Sequence, residues 1–156
     1  MRVIIVILVI AELSLAMAET GTGSGTFNLI NLGSVDGKNY FYDKTRRTWQ
    51  ASRDFCIESG MELATIETPK QAEFLKSKYN YSTFSGFYKL GGRDALLARQ
   101  FTWDSSGTAA TDIVGLNWRV DPGYSEYLTC VSYYSNIIPV FNIVGCEVES
   151  FVLCQT

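Results

Sequence analysis

The chain has 156 residues, a formal net charge of -3, no histidine and four cysteines. A charge so near neutral, with basic residues scattered apart from Arg46-Arg47, offers no phosphate-binding stripe and argues against nucleic acid as a partner. Without histidine the commonest general base is missing. No G-x-S-x-G or Cys/His arrangement is present and no carboxylate pair stands out, so a binding protein is expected rather than an enzyme.

The N-terminus, MRVIIVILVIAELSLAMAET, has a positive charge at Arg2, an apolar run from Val3 to Ile10 and the small-residue exit Ala16-Met17-Ala18. This pattern predicts a secretory signal peptide over residues 1–18. Glu12 interrupts the apolar run well short of the roughly 20 residues that a membrane-spanning helix needs, so no membrane insertion is expected. Cleavage after Ala18 leaves a mature chain of about 138 residues, one ordinary domain in length. Residues 19–30, opening on ETGTGSGT, predict a flexible lead-in, and residues 31–156 the domain itself. An extracellular destination and an even cysteine count predict two disulfides among Cys56, Cys130, Cys146 and Cys154, with three pairings possible. A four-cysteine zinc site is the competing arrangement, but there is no C-x-x-C pair to support it.

Along the domain, the aromatic run around Tyr40 to Tyr42 predicts a strand. Thr48 is placed as the N-cap of a helix that brings Trp49, Ser52 or Arg53, and Cys56 onto one face, and Gly60 stops it. Thr68-Pro69-Lys70-Gln71 combines a capping box with proline at the first helical position, predicting a second helix through about Lys78. Beyond Asn80, short strands are predicted at Phe87 to Leu90, Phe101 to Trp103, Thr129 to Tyr133, Val140 to Val144 and Phe151 to Cys154. Two early helices and many late strands make an α+β domain. Ser105 to Tyr127 is expected to be a long binding loop, and Asn80-Tyr81-Ser82 is a glycosylation sequon that places Asn80 on the surface.

The order YFY, WQASRDFC, GMELATIET, LGGRD, FTWDSSG, NWRVDP, TCVSYY, VGCEV and FVLC, from about residue 38 to the C-terminus, resembles the C-type lectin-like domain in its short form. The resemblance implies two helices, short antiparallel strands, a long loop region, and disulfides joining Cys56 to Cys154 and Cys130 to Cys146. It also implies a calcium site that holds sugar hydroxyls, because calcium takes six to eight oxygens and a vicinal diol supplies two. Sugar-binding members carry Glu-Pro-Asn or Gln-Pro-Asp in the loop and Trp-Asn-Asp before the third of these cysteines. Here the triplets are Asp121-Pro122-Gly123 and Phe141-Asn142-Ile143.

Asp121, Glu126 and Asn142 remain as candidate calcium and carbohydrate ligands, with Tyr124 a further carbohydrate contact. Calcium is therefore possible, but tight binding is not expected. Structural roles compete at each position: Pro122 as a loop-shaping cis proline, Asn142 at a strand edge, Ile143 packed inward, Trp103 and Trp118 as core aromatics. Tyr124, Tyr127, Tyr133 and Tyr134 suit either sugar stacking or a protein interface. The expected function is that of a secreted, nonenzymatic recognition protein binding glycans on cell surfaces, with a role in innate defence by fold-level analogy. The alternative is a calcium-independent protein-binding module of the same fold.

Overall fold

A computed structural model of the chain describes residues 28–94, 100–110, 117–118 and 128–156. The predicted signal peptide, most of the predicted lead-in, and the loop positions Asp121, Pro122, Tyr124, Glu126 and Tyr127 lie outside the described residues. The domain opens on a hairpin of β1 (Ile30–Val35) and β2 (Lys38–Arg47). Its two-residue turn, Asp36-Gly37, has φ of 51° and 78°, the doubly left-handed turn whose twist matches that of the flanking strands. β1 is absent from the predicted strands, although the Asp-Gly pair carries its signal.

Helix α1 (Trp49–Glu58) starts where Thr48 accepts the Ala51 N–H at 3.3 Å and stops before Gly60 at φ 73°. It buries Trp49, Ser52 and Cys56. Arg53 instead reaches outward to Asp104, whose other carboxylate oxygen accepts from Arg93 at 3.0 Å. The short strand β3 (Glu62–Leu63) leads to α2 (Pro69–Ser77), where Thr68 accepts the Gln71 N–H at 3.1 Å. The reciprocal half of the predicted capping box is displaced by one residue: the buried Gln71 carboxamide accepts from the Glu67 N–H at 2.7 Å, one position before the cap.

Six strands follow: β4 (Gly86–Asp94), β5 (Thr102–Trp103), β6 (Asn117–Trp118), β7 (Thr129–Ser135), β8 (Val140–Gly145) and β9 (Ser150–Gln155). β5, the Thr102–Ala109 bridge and β6 thus fall within or beside the segment expected to be loop. Among the described residues the sheet runs β1-β2-β9-β4-β7-β8-β6, with β3 on β9 and β5 on β4. The strands were expected to be antiparallel, yet the β4–β9 and β6–β8 pairs are parallel. β4, β7 and β8 alternate in direction, and a four-residue turn then sends β9 back beside β4 in the direction that β8 had.

The larger core, which includes α2 residues, gathers Tyr40, Leu75, Phe84, Tyr88, Trp103, Val131, Tyr133, Phe141 and Leu153. Trp103 is a core aromatic, as one of its two expected roles had it, and Tyr133 is fully buried and so unavailable to a ligand. The smaller core joins Trp49 of α1 to Leu63, Val152 and the cysteines 56, 130 and 154. Trp49 donates its indole N–H to the Leu90 carbonyl at 2.9 Å. Both implied disulfides are formed, Cys56–Cys154 and Cys130–Cys146, with Cα separations of 5.7 and 5.0 Å.

One central side chain runs against the usual distribution of charge. Lys89, in the middle of β4, is fully buried, and its only hydrogen bond among the described residues reaches the Gly145 carbonyl at 3.5 Å. Burial pushes its amine down to about 8, with the carboxylate of Glu147 opposing the shift. Below about pH 8 the amine is protonated in both folded and unfolded states, and the folded state carries the full desolvation cost. As pH rises towards the unfolded value, the unfolded chain holds a proton that the folded one has released, so stability climbs. Urea unfolding is predicted to show a gain of about 1.5 kcal/mol between pH 8 and 9.5, a window chosen below the ionisation of unfolded tyrosines near pH 10. Lys89→Met is predicted to be more stable at pH 7 and to lose this slope; an unchanged slope would contradict the assignment.

Candidate functional site

β8 separates the two residues that occupy the family's ligand-pair positions. Alternation along a strand points successive side chains to opposite faces. Phe141 is buried in the larger core and Ile143 packs against it. Asn142, between them, lines a cavity of about 320 Å3 on the other side. Its backbone carbonyl accepts from the Ser132 hydroxyl at 3.2 Å, and its carboxamide makes no hydrogen bond among the described residues. Ile143 packs inward, as one of its two predicted roles had it, and the pair therefore offers one side-chain oxygen.

The cavity is assembled from strands far apart in sequence. Its lining includes Arg46 from β2, Gly86 and Phe87 from β4, Ser132 from β7, Asn142 and Val144 from β8, and the segment from Val148 to Phe151 that leads into β9. Gly86 is at φ 107°, and a Cβ there would stand 3.2 Å from the Phe151 ring. The glycine thus serves both an unusual backbone conformation and the close approach of that ring. The Arg46 guanidinium lies 5.6 Å from the centre of the Phe151 ring, within cation–π range. Phe87 stacks on Tyr134 with centroids 4.4 Å apart, and Tyr134, unlike Tyr133, is partly exposed.

Several of its polar side chains lack a polar partner among the described residues. Neither Arg46 nor Glu149 forms an ion pair among the described residues. Ser150 is 8% exposed, and its buried hydroxyl has no hydrogen-bond partner. An orphaned buried hydroxyl costs about 1–3 kcal/mol, a cost that a ligand group can relieve. A second hollow of about 290 Å3, lined by Arg53, Met61, Glu62 and Asp104 among others, lacks this character because Arg53 and Asp104 already hold each other.

Sequence reasoning reached Asn142 and missed Arg46, Phe87, Glu149, Ser150 and Phe151. Their only linear signal was membership of predicted strands or their flanks. Asp121, Tyr124 and Glu126, the other candidate ligands, lie outside the described residues. Among the described residues no group of three or more His, Cys, Asp or Glu side chains is arranged to hold a metal. One carboxamide beside an inward-facing isoleucine does not supply the oxygens that calcium requires.

These features can be set beside known proteins. A curated relative, the C-type lectin mosGCTL-7 of Aedes aegypti, is 26% identical over 128 residues, covering 76% of this chain and 83% of that protein. The C-type lectin domain of murine dendritic cell inhibitory receptor 2, solved in complex with an N-glycan, superposes with a TM-score of 0.63 at 22% identity, covering 76% of this chain and 90% of that one. A calcium-independent type II antifreeze protein gives 0.63 at 18% identity, covering 85% and 98%. At these identities the two structures establish the fold. The model of the lectin C-type domain matches residues 45–156, from the end of β2 to the last residue, and takes in both helices, strands β3 to β9 and both disulfides. By that match the chain belongs to the C-type lectin domain family.

Proposed function

We propose that the protein is a secreted carbohydrate-recognition domain whose calcium dependence is weak or lost. Members of this family are binding proteins, and this chain is a binding domain rather than an enzyme. The observation that carries the proposal is the split between Asn142 and Ile143: the amide faces a cavity with its hydrogen-bonding capacity unused, while its neighbour packs against the core. A carboxamide can both donate to and accept from sugar hydroxyls without a metal. The glycan carried by the murine neighbour supports the ligand class. Export directed by residues 1–18 is consistent with the two disulfides, and among the described residues no helix is long and apolar enough to cross a membrane.

Asn80 suits glycosylation. It is exposed, and its side-chain oxygen accepts from the Ser82 and Thr83 N–H groups at 2.9 and 3.2 Å, holding the sequon in an outward turn. Glycans on cell surfaces, in a setting of innate defence, are the ligands we infer. The protein-binding alternative is favoured by Ile137 and Ile138, which stand 73% and 74% exposed between β7 and β8 and resemble the apolar centre of a contact patch.

Calcium at millimolar concentration is predicted to shift the melting temperature of the mature protein by less than about 1 °C, since a ligand that binds weakly adds little by linkage. Retention on a mixed glycan column is predicted to survive chelation and to fall at least about tenfold in affinity for Asn142→Ala, equivalent to about 1.4 kcal/mol. A rise of several degrees with calcium, together with release of bound glycan by chelator, would contradict the proposal. No retention of the unaltered protein in either condition would favour the protein-binding alternative.

A further inference from the structure

We propose that the cavity between β4 and the start of β9 is a metal-free subsite for a single pyranose ring bearing an apolar substituent, such as an acetamido methyl. This deepens the carbohydrate-binding function and rests on it. The chemistry of the lining selects the ligand. Arg46 offers only donors, Glu149 only acceptors, and Asn142 and Ser150 offer both. A bare anion meets Glu149 unfavourably, and a bare cation meets Arg46. A wholly apolar ligand leaves the Ser150 hydroxyl orphaned and covers the Asn142 carboxamide without a partner. A neutral ring carrying several hydroxyls can serve both the donors and the acceptors of this lining.

The apolar part of the lining fits the remainder of such a ligand. Phe87 and Phe151 place aromatic rings in the lining, the kind of group that packs on the C–H face of a pyranose. Val144 and Val148 add aliphatic surface to the lining, a place for a methyl group. At about 320 Å3 the cavity lies at the small end of ligand pockets, which suits one ring and not an extended chain. The subsite is built from β2, β4 and the approach to β9 as well as β8, on the side of Asn142 and away from the inward-packed Ile143.

The test is an NMR titration of the full mature protein, in chelator, with the methyl β-glycosides of N-acetylglucosamine, N-acetylgalactosamine, glucose and galactose, run beside a glycan array. Shifts are expected at Arg46, Gly86, Phe87, Asn142 and Glu149 to Phe151. The N-acetylated sugars are expected to bind about fourfold more tightly than their hydroxyl counterparts, the factor for one additional buried methyl group. Ser150→Ala is expected to weaken binding severalfold while leaving the melting temperature equal or higher, because it removes an orphaned hydroxyl. A merely structural serine would not separate those two readouts. Arg46→Gln, at an exposed position, is expected to weaken binding without affecting folding. Array binding that persists unchanged in both variants would overturn the subsite and leave the carbohydrate-binding function standing. Absence of array binding by the unaltered protein, with and without calcium, would overturn both.

Discussion

The architecture depends on the seating of β9, the last strand of the chain, in the middle of the sheet. Its antiparallel partner on one side is β2, and on the other it lies parallel to β4 before meeting β3. A strand in that place must find partners from three separate parts of the sequence, and loop-closure entropy opposes each of those meetings. Cys56–Cys154, spanning 98 residues, fastens α1 to β9 and removes much of that entropy from the unfolded chain. The Trp49 N–H bonds the Cys146 carbonyl at 2.8 Å, so the start of α1 also touches the second disulfide. The smaller core is therefore the knot where both bridges, α1 and the central strands meet.

The same constraint builds the cavity. The turn that follows β8 must bring the chain back beside β4, and in doing so it lays Val148, Glu149 and Ser150 against Gly86 and Phe87. Ser150 stands there at the start of β9, opposite Arg47, its hydroxyl buried with no partner among the described residues. Lys89, fully buried farther along β4, is a second cost accepted near this junction. Polar groups left unsatisfied in an otherwise well-bonded sheet are where function is most economically sought. Here one of them, Ser150, shares a cavity with the partly exposed Asn142.

Local chemistry made much of the fold legible in sequence. Thr48 and Thr68-Pro69 marked both helix starts, because caps act over three or four residues. Short runs rich in aromatic and β-branched residues located five of the later strands. β1 was not predicted although its Asp36-Gly37 pair signals a hairpin, and β3 and β6 have only two residues each and, unlike β5 with Phe101 and Trp103, no pair of aromatics to mark them. The parallel β4–β9 pair arises from tertiary return of the chain, which no local pattern encodes. At the site, the Asn142-Ile143 pair was readable as half a ligand pair, and strand alternation explains why the halves face apart. Arg46, Ser150 and Phe151 were not readable, since only the meeting of β2, β4 and β9 gives them a common purpose.

The central role of β9 is tested most directly by comparing the equilibrium urea unfolding of Cys56→Ala/Cys154→Ala with that of Cys130→Ala/Cys146→Ala. In the chain-entropy account the bridges, spanning 98 and 16 residues, contribute about 4.7 and about 3 kcal/mol. The first variant should therefore be the less stable by about 1.5 kcal/mol, and its β9 amides should lose hydrogen-exchange protection along with the whole sheet. Equal losses, or a larger loss on removing Cys130–Cys146, would contradict the claim that the fold is held through its last strand.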